Sequence, residues 1–318
     1  MKIVFMGTPD IAVAPLEALV DAGHEIVCVV SREDKPRGRH GTPVPTPVKE
    51  KALELGIPVI TPTKVRTGEF AQTLKDLEAD VFVVIAYGRI LPQEVLDIPR
   101  LGCVNIHASL LPSYRGAAPI QWALLDGRRE TGITTMMMDK GCDTGDILRR
   151  YPVEITDEDT GESLFDKLAK VGASAITDTL AGLEDGSIIP VKQPRESDTD
   201  YARTLTKEDG LLDFSRPAAE LERWVRGLYS WPGAYSYLDG KMFKILRSRI
   251  SEIARPSQAK CGEMLISGGK LLVCTGDGVL EIEELQPEGK KRMSAAAFLN
   301  GYKLKEGTVL GKTQPSAC

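Results

Sequence analysis

The chain begins with short apolar runs that alternate with segments of helical period. Residues 2–7, KIVFMG, are apolar and end at a glycine, and the following PDIAVAPLEALVDAG has apolar positions at helical spacing. The same order repeats through residue 88, and further strands are predicted over 101–107, 132–139 and 147–154. Such alternation is typical of an open, mostly parallel sheet with helices on both faces. The pattern therefore predicts an α/β, Rossmann-like first domain.

The pattern changes in the second half of the chain. Residues 190–213 are polar and lack a sustained period, so we predict a linker over 190–208. This linker divides a catalytic domain, 1–189, from a second domain, 209–318. Beyond an amphipathic helix at 216–229, short strands alternate with Gly, Asp and Pro turns. That spacing predicts a small antiparallel β-barrel, and five strands of the oligonucleotide-binding (OB) type fit the size.

The predicted strand at the start of CVNIHASLLPSYRG, residues 103–116, carries polar side chains at its carboxyl end. Successive side chains of a strand point to opposite faces, so Asn105 and His107 share one face. In open α/β sheets the ligand crevice lies outside the carboxyl ends of the strands. An isolated pair of this kind is more often an interior histidine and a turn asparagine. The neighbouring polar residues decide whether Asn105 and His107 form a functional pair or an ordinary interior histidine and turn asparagine.

A second polar loop follows the strand predicted at 132–139. The sequence MMMDKGCDTGDIL places Asp139, Asp143 and Asp146 among two glycines. Such a loop is most often a solvated turn or a mimic of a calcium loop, but opposite a histidine one carboxylate can orient the imidazole. An amide, an imidazole and a carboxylate suit acyl transfer without a covalent enzyme intermediate. The amide stabilises an oxyanion while the other two groups move protons.

Composition narrows the class of protein. At 318 residues, with 42% hydrophobic and 27% charged residues, the chain is long enough for two globular domains. No apolar run approaches the length of a membrane helix, and no signal-peptide core precedes Asp10, which predicts a cytoplasmic protein without a membrane partner. The six cysteines are widely spread without a Cys-x-x-Cys pair. We therefore expect neither structural disulfides nor a metal site.

Two basic segments are candidates for contact with a polyanion, although the net charge of −5 argues mildly against nucleic acid as a partner. One is the long Pro- and Gly-rich loop 31–49, and the other lies near residue 290. The candidate phosphate contacts are Arg37, Arg39, His40, Lys290, Lys291 and Arg292. A solvated basic surface accounts for either segment equally well.

Several segments taken together resemble the methionyl-tRNA formyltransferases, which belong to the larger group of formyltransferases that use 10-formyltetrahydrofolate. The resemblance is carried by MGTPD, PTPVK, VVIAYGRILP, CVNIHASLLPSYRGAAPIQ, MDKGCDTGDIL and LQPEGKKRMSAAAFLNG. These segments span almost the whole chain in order, which makes coincidence implausible.

The resemblance implies transfer of a formyl group from the co-substrate 10-formyltetrahydrofolate to the α-amino group of methionyl initiator tRNA, by a monomer and without a metal. The family's catalytic trio falls on Asn105, His107 and Asp143; the strand-face argument also selects the first two, and Asp143 is one of the three aspartates of the polar loop. The implied folate-binding residues are Ser109, Leu110, Leu111, Pro112, Ile85, Tyr87, Gly88 and Leu91. The family's tRNA-contacting loop falls on 34–49, with its key arginine on Arg39, and the second domain is expected to bind tRNA.

Two alternatives stay open on the sequence alone. A folate-dependent formyltransferase for a nucleotide sugar or for glycinamide ribonucleotide would share the trio and the SLLP segment, although PTPVK and LQPEGKKRMSA favour the tRNA enzyme. A catalytically silent nucleic-acid-binding module would use the barrel as its working part, and the intact trio argues against it. The barrel itself can also be only a structural cap.

Overall fold

The computed structural model describes residues 1–36 and 41–311, and the predicted alternation of strands and helices is present along the first part of the chain. The strands are β1 (Lys2–Gly7), β2 (Glu25–Val30), β3 (Lys35–Pro36), β4 (Pro43–Val44), β5 (Val59–Ile60), β6 (Val81–Ile85), β7 (Cys103–His107), β8 (Glu130–Met137) and β9 (Ile147–Glu154). The helices are α1 (Val13–Asp21), α2 (Pro47–Glu54), α3 (Gly68–Lys75), α4 (Gln93–Leu96), α5 (Pro119–Leu125) and α6 (Gly161–Glu184).

Seven of these strands form one sheet in the order β5-β2-β1-β6-β7-β8-β9. The pairs from β5 to β7 are parallel, whereas β8 is antiparallel to both β7 and β9. The sheet is therefore mostly parallel, and the predicted Rossmann-like α/β fold is confirmed. Because the strand order reverses at β1, the carboxyl ends of β1 and β6 mark the edge where such sheets bind ligands.

Burial explains why the central strands read as continuous apolar runs. All five residues of β6 are buried, because side chains on both faces of the sheet meet helices. On one face, Val4 and Phe82 pack in a cluster with Phe70 of α3. On the other face, Gly172 of α6 lies against Ile106 of β7. The two-stranded β3–β4 ribbon stands outside this sheet.

The chain divides into two compact units, and both units contain more than one segment. The first unit comprises residues 1–119, 130–154 and 164–202. The second unit comprises residues 120–129, 155–163 and those from 203 onward. This division differs from the predicted contiguous domains, because sequence composition does not reveal that a short internal segment packs with a distant part of the chain.

Much of the predicted linker packs within the first unit. Val191 forms an antiparallel bridge with Ile147, and Ala202 forms a parallel bridge with Gly116. The polar side chains of this stretch hydrogen-bond to neighbouring loops rather than only to solvent. The hydrophobic period does not distinguish polar side chains that bond to neighbouring loops from polar side chains that face solvent. For this reason the stretch resembled a linker.

The second unit contains the predicted antiparallel sheet. Its strands are β10 (Ala234–Leu238), β11 (Lys241–Ile250), β12 (Met264–Ser267), β13 (Lys270–Cys274), β14 (Val279–Pro287) and β15 (Met293–Ser294). They follow the order β10-β11-β14-β13-β12, with β15 paired to β14, and every pair is antiparallel. Helices α7 (Ala218–Gly227) and α8 (Ala295–Gly301) contribute Leu221, Val225 and Phe298 to the core under this sheet.

The segment 308–311 joins the two edge strands of this sheet. Next to β12, the Leu310 amide donates to the Gly262 carbonyl oxygen at 2.8 Å. At β10, Gly311 and Tyr237 exchange two backbone hydrogen bonds at 2.9 and 3.2 Å. One segment therefore pairs with both edges and closes the sheet into a barrel. Closure gives backbone groups of both edge strands hydrogen-bond partners that they would otherwise lack. Across the described ranges, the structure contains no helix long and apolar enough to cross a membrane.

Candidate active site

The carboxyl end of β7 presents the two polar side chains that the strand pattern singles out. β7 lies between β6 and β8, and Asn105 pairs across the sheet with Val84 and Met136. The Asn105 side chain is half-buried, and no group of the described residues hydrogen-bonds its amide. A half-buried amide without a protein partner is available to a bound ligand.

His107 is buried, with 6% of its surface exposed, and its ring is held from one side. Its Nε2 lies 3.0 Å from the Tyr114 carbonyl oxygen, which can only accept a hydrogen bond. Nε2 therefore carries the hydrogen in this contact. The other ring nitrogen, Nδ1, lies 3.7 Å from Asp143 Oδ1, beyond hydrogen-bond length. Nδ1 is thus the ring nitrogen without a hydrogen-bond partner among the described residues, and it faces the Asp143 carboxylate.

Asp143 is held in place by its backbone and by one carboxylate oxygen. Its φ of 55° lies in the left-handed region, which aspartate tolerates better than most residues. Its Oδ2 accepts a hydrogen bond from the Gly116 amide at 2.9 Å, which leaves Oδ1 facing His107. Strand β7 and the loop after β8 therefore bring His107 and Asp143 together, and Asn105 lies two residues before His107 on the same strand.

Gly116 is required at its position for two reasons. Its φ of 124° is disfavoured for any residue with a Cβ. A Cβ there would also lie 2.6 Å from the Ala202 carbonyl oxygen and 2.9 Å from Cζ of Tyr201. The glycine thus lets the chain approach closely enough for its amide to bind Asp143.

The neighbouring aspartate of the same loop shapes the turn. Asp139 Oδ1 accepts from the Gly141 amide at 2.9 Å and from the Thr144 hydroxyl at 2.8 Å, so this carboxylate folds the loop. The described parts of the chain contain no group of three or more His, Cys, Asp or Glu side chains that could hold a metal ion.

The SLLP segment directly follows β7 and is largely enclosed. Ser109 is fully buried, and its hydroxyl donates to the Ser113 carbonyl oxygen at 2.6 Å. Leu111 is 1% exposed and packs in a small apolar cluster, while Leu110 and Pro112 are half-buried. Among these predicted folate-binding side chains, only the half-buried Leu110 and Pro112 offer appreciable surface.

The second predicted folate-binding segment follows β6. The side chains of Ile85, Tyr87 and Leu91 are buried, whereas Ala86 and Gly88 are exposed and have positive φ values of 46° and 76°. The Tyr87 hydroxyl is buried without a hydrogen-bond partner among the described residues, and burial raises its pKa. The surface that this segment offers to a ligand therefore lies at Ala86 and Gly88, whereas the Tyr87 ring belongs to the core.

Two side chains outside the predicted set fix the backbone of this segment. The Thr8 hydroxyl, in the MGTPD motif, donates to the Tyr87 carbonyl oxygen at 3.1 Å. Arg32 Nη1 donates to the Gly88 carbonyl oxygen at 2.7 Å. Arg32 carries no signal in the sequence, because it is one of several basic residues in a polar loop.

The structure describes only some of the residues that are predicted to contact tRNA. Arg37, Arg39 and His40 lie outside the described residues. Lys290, Lys291 and Arg292 are exposed between β14 and β15. Arg292 pairs with Glu284 and donates to the Tyr229 hydroxyl at 3.1 Å, and the hydrogen bond to Glu284 raises its pKa above the usual value for arginine. Its charge is thus partly compensated, whereas the two lysines pair with no carboxylate of the described residues.

Family models match both halves of the chain. The model described as formyl transferase matches residues 1–180. The model described as formyl transferase, C-terminal domain, matches residues 204–303. The fold and these two family matches thus define a formyl transferase.

Curated relatives give a narrower assignment. The methionyl-tRNA formyltransferase of Lachnospira eligens is 48% identical over 317 residues, which covers 98% of this chain and 100% of the relative. That of Geotalea daltonii is 47% identical over 313 residues and covers 98% of each chain. Because these identities extend over almost the whole of both proteins, the chain belongs to the family of methionyl-tRNA formyltransferases.

Solved structures share the fold at lower sequence identity. WlaRD, a sugar 3N-formyl transferase, has a TM-score of 0.67 at 20% identity and covers 92% of this chain and 99% of its own. HypX from Aquifex aeolicus, in complex with tetrahydrofolic acid, has a TM-score of 0.63 at 18% identity and covers 97% of this chain. This chain spans 50% of the HypX chain. These likenesses concern the fold alone.

Proposed function

We propose that the protein transfers the formyl group of 10-formyltetrahydrofolate directly to the α-amino group of methionyl initiator tRNA. The observation that carries this proposal is the Asn105 amide, which no described residue bonds, at the strand end that also carries His107 beside Asp143. Family membership supports the two substrates, because relatives of about equal length are methionyl-tRNA formyltransferases.

The proposed reaction has an addition step and an elimination step. First, the neutral amine nitrogen attacks the formyl carbon, a C–N bond forms, and the formyl oxygen becomes an oxyanion that the Asn105 amide stabilises. Second, the bond between the formyl carbon and folate N10 breaks and the carbonyl re-forms. N10 gains one proton and the amine loses one, so the protons balance. His107 Nδ1 relays this proton, and Asp143 stabilises the imidazolium.

The nucleophilic side chains near the site favour direct transfer over a covalent enzyme intermediate. The Ser109 hydroxyl donates to a backbone carbonyl and has no base beside it among the described residues. Burial raises the pKa of the Cys103 thiol to about 12 and also raises that of Cys142. A thiol with a raised pKa is a poor nucleophile near neutral pH.

The folate co-substrate supplies the formyl group in this proposal. Its pterin is expected against the backbone of residues 86–89, where Ala86 and Gly88 are exposed. Leu110 and Pro112 of the SLLP segment would provide apolar surface.

The acceptor tRNA is expected to meet basic side chains of the second unit. Lys290 and Lys291 are exposed and unpaired among the described residues, so they can contact phosphates. The arginines Arg37 and Arg39 remain a prediction from the family resemblance. We also propose that the protein acts in the cytoplasm as a monomer, which light scattering during gel filtration tests.

The deciding experiment follows labelled formyl from 10-formyltetrahydrofolate to methionyl initiator tRNA. We expect wild-type transfer, a loss of about a hundredfold or more in His107→Ala, and little change in His24→Ala, whose ring lies beside the N-terminus. A folded wild type that binds folate but leaves the tRNA unformylated would refute the acceptor. Transfer to a dTDP-linked amino sugar instead would redirect the assignment.

A further inference from the structure

Residues 193–202, which we call the strap, hydrogen-bond to the loop that follows β7. The Thr199 hydroxyl accepts a hydrogen bond from the Tyr114 amide at 2.7 Å. The Ala202 carbonyl oxygen accepts from the Ala117 amide at 2.8 Å, and the Ala202 amide donates to the Arg115 carbonyl oxygen at 2.8 Å. The strap therefore fixes the loop whose Tyr114 carbonyl oxygen holds His107.

Gln193 of the strap also binds the loop that carries Asp143. Its Nε2 donates to the Asp143 carbonyl oxygen at 3.0 Å and to that of Gly145 at 2.7 Å. Its Oε1 accepts from Arg115 Nε at 3.2 Å and from Nη2 at 2.9 Å. Both amide hydrogens and the amide oxygen are thus in use, so the side chain has one orientation.

Arg115 completes the connection between the two loops. In addition to its bonds with Gln193, Arg115 donates from Nη2 to the Pro194 carbonyl oxygen at 2.7 Å and from Nη1 to the Arg195 carbonyl oxygen at 3.1 Å. No carboxylate of the described residues pairs with this half-buried guanidinium, which binds neutral acceptors only. A planar guanidinium can bind three acceptors at once, whereas a lysine ammonium cannot reproduce that geometry.

We infer that Arg115 and Gln193 form a clamp that sets the separation of His107 and Asp143. The residues on either side of Arg115 contact the pair directly, since Tyr114 accepts from His107 and Gly116 donates to Asp143. Gln193 holds the Asp143 backbone in its left-handed conformation. Arg115 and Gln193 are positioning residues, and the inference rests on the proposed formyl transfer.

The clamp predicts a specific kinetic signature. A displacement of about 1 Å in a catalytic group can cost about a hundredfold in rate. Gln193→Ala is therefore expected to lower kcat by about 10- to 100-fold while the Kd for folate changes less than about twofold. Arg115→Lys should lower kcat less than Arg115→Met, because an ammonium restores part of the bonding. The matched control is Gln93→Ala, which removes an exposed hydrogen bond to Asp97 on α4.

Two measurements test the clamp. The first is a double-mutant cycle in single-turnover formyl transfer. If Gln193 acts through Asp143, Gln193→Ala should reduce the rate of an Asp143→Ala enzyme by less than about threefold. The second is the imidazole ¹⁵N spectrum, which is simple because the chain has only three histidines. Gln193→Ala should shift the His107 signals, and Gln93→Ala should leave them unchanged.

The outcomes separate this inference from the proposed function. An inactive but folded wild type would refute the proposed function, and the ¹⁵N spectrum would still report on the clamp. Equal rate losses from Gln193→Ala in the wild-type and Asp143→Ala backgrounds, with unshifted His107 signals, would overturn the clamp. A fall in folate affinity equal to the fall in kcat would also overturn it, since it would indicate general damage to the site.

Discussion

Replacing Asn105 by alanine tests the oxyanion role most directly. In the proposed mechanism the substitution removes one amide donor from the formyl oxygen, and the rest of the site keeps its contacts because no described residue hydrogen-bonds this side chain. Loss of one such donor typically costs a factor of about 10² to 10³ in kcat, or about 2.7–4 kcal/mol. We expect a loss of this size in Asn105→Ala.

The structure also limits how much stability this substitution can cost. The Asn105 side chain is half-buried and forms no protein hydrogen bond among the described residues, so the free energy of unfolding should fall by no more than about 1 kcal/mol. For a protein of this size, such a change corresponds to a shift in Tm of about 4 °C or less. The kinetic and stability effects are therefore separable.

Single-turnover formyl transfer with saturating folate and tRNA is the appropriate assay, since it reports the chemical step. Asn105→Asp is the matched variant, because a carboxylate of similar shape would oppose the oxyanion and should lose at least as much activity as alanine. A rate within about fivefold of wild type in both variants would refute the oxyanion role. So would a loss that appears only in folate affinity.

Three further results are expected. Gly116→Ala should lower the free energy of unfolding in urea by about 1–3 kcal/mol, because φ is 124° and a Cβ would lie 2.6 Å from a carbonyl oxygen. The Arg203 guanidinium lowers the pKa of Asp209 to about 2, so this carboxylate stabilises the fold above its unfolded pKa of about 3.9 and loses that effect as pH falls towards 2. Asp209→Asn should therefore flatten the dependence of stability on pH between about 5 and 2, and an unchanged profile would contradict the assignment. Replacing both Lys290 and Lys291 by glutamine should reduce the slope of log affinity for tRNA against log salt by about 2, and an unchanged slope would exclude them as phosphate contacts.

The family and the main elements were accessible from the sequence because they depend on local patterns. The period of apolar residues marked β1, β6 and β7 within a few residues of their observed ends. The twofold alternation of a strand placed Asn105 and His107 on one face without any knowledge of their neighbours. Ordered motifs along most of the chain then identified the family.

The barrel and the strap show where local pattern is insufficient. The strands of the second unit were marked by their turns, but closure by Leu310 and Gly311 depends on pairing with strands far away in the chain. Residues 190–208 were assigned to a linker because they are polar. In the structure the polar side chains of Gln193 and Thr199 hydrogen-bond to backbone groups of the loops that hold His107 and Asp143.

The fold class and the order of the elements follow from the sequence, because both depend on residue type and short-range period, and the motifs of the family resemblance single out Asn105, His107 and Asp143. The distance of 3.7 Å between His107 and Asp143, the ring nitrogen that contacts a carbonyl oxygen and the backbone groups that hold the two residues are properties of the tertiary structure. Those properties arise from hydrogen bonds between residues separated by 7 to 80 positions. No local period records contacts over such separations.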